Sequence, residues 1–218
     1  MRRVPGMYLA AVCLGAAVAA RADPAPGEKL FADHGCNACH YTQGPAREKS
    51  IPDQLAKKGP ELWYAGSKFQ RPWLEQWLQS PSIIRPLRYN SLSEDNPGDH
   101  PKLAASDART VTDFLMSLTS PDVKAGVIKP KRNPKGRLIF VKKMPCSGCH
   151  HFPSRKKFKG GRSAPSLVGA SKRLNPDWIY AYLKNTRKFK PFRMMPIFAG
   201  VLRDKDMKAV AAFVASFK

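Results

Sequence analysis

Two short stretches constrain this chain of 218 residues more than anything else in it: "CNACH", ending at His40, and "CSGCH", ending at His150. Of the five cysteines, Cys36, Cys39, Cys146 and Cys149 sit in these motifs, and Cys13 lies near the N-terminus. Four cysteines could form two disulfides, the default in an exported chain. A zinc site of two Cys pairs is the other ordinary use, but it usually has the pairs ~15–20 residues apart. Neither use calls for a histidine directly after both pairs. The C-x-x-C-H spacing has a more specific logic. Two thiols on one helical turn can bond to the two vinyl groups on one edge of a haem, and the next residue then projects an imidazole beneath the ring toward the iron. Two such motifs predict two covalently attached c-type haems, with His40 and His150 as the proximal iron ligands.

The two motifs head similar halves. "GEKLFADHGCNACH" parallels "KGRLIFVKKMPCSGCH", each placing a short amphipathic helix before its motif. "KGPEL" at 58–62 parallels "SAPSL" at 163–167, and "SKFQRPWLEQWLQ" parallels "SKRLNPDWIYAYLK", with a proline near the start of each predicted helix. Val111, Phe114, Leu115 and Leu118 match Val210, Phe213, Val214 and Phe217, the i, i+3, i+4, i+7 stripe of a buried helix face. No segment reads as a strand. The expected architecture is all-α, with two small helical domains at 23–120 and 135–218. A Pro- and Lys-rich linker, 121–134, joins them. Residues 1–22 carry Arg2 and Arg3, an apolar run and "ARA" before Asp23, the pattern of a cleaved secretory signal peptide. That apolar run is shorter than the ~20 residues a spanning helix needs. The expected product is therefore a soluble periplasmic protein.

These features together make the chain similar to the class I cytochromes c, in a tandem-domain, two-haem form. The resemblance implies electron transfer and a few short helices around each haem. It also implies that carbonyls at Pro60 and Pro165 steady His40 and His150. From the same resemblance, Met195 in "PFRMMP" is the expected ligand on the iron face opposite His150, with Met194 as the alternative. The first half has "PLRYN" at the matching place and a longer loop, "YNSLSEDNPGDHPK", in place of "MMPIFAGV". That loop holds His100, a candidate sixth ligand for haem 1 beside Tyr89, Asn90, a lysine or water.

Charge divides the halves further. Residues 23–120 hold 11 Lys and Arg against 12 Asp and Glu, whereas residues 121–218 hold 24 against 4. Such a field usually points to nucleic acid, but export and two haems argue against that partner. Docking on an acidic redox protein or complex, or on an anionic membrane surface, is the expectation. An electron carrier is therefore favoured. The alternatives are a dihaem enzyme, peroxidase-like or sulfur-compound oxidising, with substrate at haem 1, or a cytochrome subunit of a larger redox complex. No catalytic constellation is recognisable in the sequence.

Overall fold

In the computed structural model, residues 23–154, 157–192 and 195–218 are described. The expected signal peptide and Met194 lie outside the described residues. The first half contains α1 (Ala25–Asp33), α2 (Ile51–Ala56), α3 (Ala65–Lys68), α4 (Arg71–Gln79) and α5 (Ala105–Ser117). The second contains α6 (Pro134–Leu138), α7 (Cys146–Cys149), a hairpin of β1 (Phe152–Ser154) and β2 (Lys157–Lys159), then α8 (Ala170–Arg173), α9 (Pro176–Lys184), α10 (Thr186–Phe189) and α11 (Asp204–Val214). Prolines in the first turn open α1, α2, α4, α6 and α9, where the missing N–H has no intrahelical partner to lose. Side-chain caps add to this at Ser50, Asn133 and Asn175.

In each half the helix before the thiol motif crosses the closing helix, and a glycine makes the crossing possible. A β-carbon on Gly27 would meet the carbonyl of Thr110 on α5, and one on Gly136 would meet the carbonyl of Ala209 on α11. One turn further on, Phe31 meets Phe114 edge-on at 5.7 Å, and Phe140 meets Phe213 edge-on at 6.0 Å. The second copy has one more residue between its glycine and its first cysteine. A wider turn over Ile139–Lys143 absorbs it, closed by the Met144 N–H to the Ile139 carbonyl at 2.9 Å. Another bond repeats at the far end. Gly66 donates to the Leu118 carbonyl at 2.8 Å, and Ser171 donates to that of Phe217 at 2.9 Å.

The halves meet through matching positions of the repeat. Phe69 and Leu174 form an isolated antiparallel bridge, flanked by Gln70 N–H to the Arg173 carbonyl (3.0 Å) and Asn175 N–H to that of Lys68 (2.8 Å). The Lys68 ammonium lies over Trp178 at 5.1 Å, while the Arg173 guanidinium lies over Trp73 at 5.9 Å. Each contact is the counterpart of the other, so the junction has an approximate two-fold axis. Tyr64 breaks the symmetry. It is fully buried in the second half's core against Phe189 and Trp178, and Gly169 stands at the matching position.

One departure from the sequence reading has a local cause. The hairpin was not expected, because strands of three residues are too short to show alternation; pairing of Phe152 with Lys159 and Ser154 with Lys157 defines it. Buried Phe152 anchors it, and Gly161 ties its return leg to the Ser147 carbonyl at 3.1 Å. The connecting segment 121–134 is fastened to the second half. Ile128 is buried, and the Asp177 carboxylate accepts from the N–H groups of Gly126 and Ile128, both at 2.7 Å.

A glycine-to-alanine change inside a helix normally adds up to ~1 kcal/mol of stability. At Gly136 the sign should reverse, because the new methyl forces α6 and α11 apart, an overpacking cost of ~1–3 kcal/mol. Denaturant unfolding of Gly136→Ala against the parent chain measures this.

Candidate functional site

The two thiol pairs lie on single turns. Cys36 begins a short 3-10 turn, Cys36–Ala38, and Cys146–Cys149 is α7 itself. All four thiols are free, so the disulfide reading of the motifs does not describe them. Burial pushes the Cys146 thiol up to about 11 and raises that of Cys36, so neither is an activated nucleophile. The following histidine closes the turn in both halves, His40 N–H to the Cys36 carbonyl at 3.0 Å and His150 N–H to the Cys146 carbonyl at 2.9 Å.

Both imidazoles are then held in the same way. His40 Nδ1 lies 2.7 Å from the Pro60 oxygen, and His150 Nδ1 lies 2.7 Å from the Pro165 oxygen. A carbonyl only accepts, so each Nδ1 carries the proton and each Nε2 keeps its lone pair, the form a metal-binding imidazole needs. Burial lowers the basicity of both rings. The carbonyl bonds oppose it, while nearby cations add to it: Lys190 and Lys68 at His40, Arg85 and Arg173 at His150. His100 lowers His40 in the same sense. At Gly59, next to Pro60, a β-carbon would sit 2.8 Å from Cε1 of His40, so the absence of a side chain there leaves room for the ring.

The residues expected on the opposite faces divide unevenly. His100 comes close to His40: their ring centroids are 6.2 Å apart, at an interplanar angle of 40°. His100 Nδ1 donates to the Pro101 carbonyl at 2.9 Å, leaving its Nε2 as the acceptor, and Trp77 packs against the ring at 4.6 Å. Asn90 has another task. In left-handed backbone geometry (φ 63°), its amide donates to the carbonyls of Gln54 and Lys57 and accepts from Gln54 Nε2, which closes the end of α2. The ring of Tyr89 lies beneath the Lys190 ammonium at 5.9 Å. Met195 is half-buried against the second half's core, and its carbonyl accepts from Thr186 Oγ1 at 3.4 Å. His34 pairs with Asp107 at 3.0 Å, while His151 lies beside Phe158. Met207 is a core residue, and Met116 and Met144 pack against the cores of their own halves.

Sequence reasoning missed the buried charges behind the histidines. Lys57 pairs with both Glu48 and Glu61, and Lys190 of the second half reaches Glu61 at 2.7 Å. All four are buried. At the other site Arg85, from the first half, donates to the Ser163 carbonyl at 2.8 Å, and Arg173 donates to that of Ser166. Arg85 and Lys190 occupy matching places in the repeat, directly before "PLR" and "PFR". That coincidence was the available signal, but a cation in a polar loop ordinarily reads as solvated.

Residues 132–214 match a family described as cytochrome c oxidase, cbb3-type, subunit III. The match covers less than half of the chain and supports class I cytochrome c membership for that segment. Neither characterised proteins nor solved structures give a significant match. A cytochrome c domain implies a covalently bound c-type haem and an electron-transfer haem protein, and the helical architecture with one small hairpin is consistent with that fold. The site's residues fit the group: free thiols on one turn, an imidazole with its Nε2 available, and a carbonyl steadying the other nitrogen.

Burial alone would raise the Glu61 carboxyl, but Lys190 and Lys57 outweigh it and bring it down to about 2. The unfolded carboxyl titrates near ~4.3, so the unfolded state binds more protons below that pH. The stabilisation is complete above about pH 4.5 and is lost as pH falls toward about 2. Glu61→Gln should remove that acid-dependent loss from the stability profile. It should also destabilise the chain by ~3 kcal/mol at neutral pH, because buried Lys190 loses the Glu61 carboxylate while Lys57 keeps only Glu48.

Proposed function

We propose that this chain is an exported, periplasmic electron-transfer protein with two covalently attached c-type haems, one in each half. One observation carries the two-haem reading. Residues 23–120 repeat the arrangement found inside the matched segment: a thiol pair on one turn, a closing histidine, and a proline carbonyl 2.7 Å from its Nδ1. The bound iron would supply reversible one-electron exchange.

The protein's part is to hold each site closed and to set its potential. His150 and Met195 are assigned to the second site. A thioether ligand favours the reduced form and raises the potential. His40 and His100 are assigned to the first. Their rings lie 6.2 Å apart between centroids, each with Nδ1 bound to a carbonyl and Nε2 left to bind a metal, so both could hold the same iron. A second nitrogen ligand makes the first site the lower in potential. Two closed irons favour a carrier over a dihaem enzyme, which needs one open.

Docking is assigned to the second half. Exposed Lys142, Lys143, Lys157, Lys159 and Arg162 surround the Cys146–His150 turn in sequence, and the hairpin bearing two of them is tied to that turn through Gly161. An acidic redox protein or an anionic membrane surface fits this rim. A second reading, a cytochrome subunit of a larger redox complex, draws on the name of the matched family, an oxidase subunit.

Carbon monoxide added to the fully reduced protein tests the ligand assignment. The parent should stay unreactive while showing two haems per chain. His100→Ala should bind carbon monoxide at half of the total haem. Rapid binding by the parent would favour the enzyme reading. For the docking surface, electron exchange with an acidic partner should slow as ionic strength rises. A flat salt response would exclude electrostatic docking, and stable co-purification at moderate salt would favour the subunit reading.

A further inference from the structure

The two-haem reading leaves one feature of the second site without a role. Arg173, at the end of α8, is only 6% exposed. Its guanidinium rests on Trp73 of the other half and donates to the Ser166 carbonyl, but it has no carboxylate partner among the described residues. Burial pulls its pKa down to about 10. A guanidinium withdrawn from water without a counter-charge is strongly unfavourable, so this site calls for an anion.

A second guanidinium approaches the same place from the other half. Arg85 crosses the junction to the Ser163 carbonyl. Ser163 and Ser166 bracket Pro165, whose oxygen lies 2.7 Å from Nδ1 of His150. Two planar forks therefore converge on the loop beneath the second proximal histidine. Guanidinium forks match carboxylates in a bidentate way that ammonium groups do not. A haem carries two carboxylates, on its propionate arms.

We propose that Arg85 and Arg173 form a two-arginine clasp for the carboxylates of the haem attached at Cys146 and Cys149, with Arg85 supplied across the junction by the first half. The proposal rests on the haem reading above. It also gives the junction a purpose, since a haem so held fastens one half to the other. The first site is built differently. Its matching cations are Lys68 and Lys190, and Lys190 is already held by Glu61 at 2.7 Å. The clasp thus adds positive charge beside the second iron, which favours its reduced form and reinforces the potential difference between the sites.

The test uses the full holoprotein with Arg85→Gln and Arg85→Lys. Intact mass first counts the haems. If the parent chain carries none at Cys146 and Cys149, the haem reading itself fails, whatever the arginines do. With both haems attached, potentiometric titration of Arg85→Gln should lower the potential of the second haem by about 60 mV, equivalent to a tenfold change in relative stabilisation of the two oxidation states. The first haem should shift less. Arg85→Lys, which keeps the charge but loses the fork, should fall between the parent and Arg85→Gln. Proteolysis within 121–134 should quicken in Arg85→Gln as the junction loosens. Faster proteolysis with an unchanged potential would assign Arg85 a purely structural role and overturn the clasp. A parent potential that moves with added phosphate would assign the arginines to a free anion and overturn it equally. If Arg85→Gln does not accumulate, Arg85→Lys decides alone: a lowered second potential supports the clasp, and an unmoved one overturns it.

Discussion

A proline carbonyl 2.7 Å from a histidine Nδ1 occurs once in each half, and both candidate sites depend on it. Without that acceptor the ring could turn or bind its proton at the other nitrogen. With it, Nε2 is committed to facing away from the loop. The geometry is produced locally. Two thiols and the histidine close a single turn, and the loop beneath is pinned by Leu62 N–H to the Tyr41 carbonyl (2.8 Å) and Leu167 N–H to that of His151 (2.7 Å). Gly59 keeps its loop close enough to touch the His40 ring.

The junction between the halves turns this local repeat into one object. Because Phe69 pairs with its own counterpart Leu174, each contact on one side tends to reappear on the other. Cations follow the rule: Lys190 reaches behind His40, and Arg85 reaches behind His150. Their surroundings differ, however. Glu61 lies behind the first histidine and Ser166 behind the second, so one site has Lys57 and Lys190 paired with carboxylates and the other gathers two guanidiniums. Two sites of similar local build thereby acquire different electrostatics, and this is the physical basis proposed here for different potentials.

The loop "PLRYN" illustrates how a repeat can diverge without leaving a gap. Asn90 stands where Met195 stands in the other half, and its amide closes the end of α2 instead of facing a metal. The longer loop folds back on itself, with Leu87 bridging Asp95 and Arg88 N–H donating to the Glu94 carbonyl at 2.9 Å. Beyond this fold lies His100, beside Trp77 and facing His40. Proximity could not be read from the sequence, because His100 sits in a polar, turn-rich stretch that ordinarily is solvated.

What the amino-acid sequence by itself determined was everything governed by short range. The C-x-x-C-H spacing, the apolar stripes of α5 and α11 and the prolines that open helices are visible because each depends on residues a few positions apart. The proline carbonyls behind His40 and His150 were legible only through the family resemblance. What tertiary structure alone decided is long-range. Examples are the two-fold pairing at Phe69 and Leu174, the buried chain of charge from Glu48 to Lys190, and the convergence of Arg85 with Arg173. A charged residue carries no local mark of burial. Whether it meets water, a counter-charge or a neighbouring site is settled only when distant segments pack together.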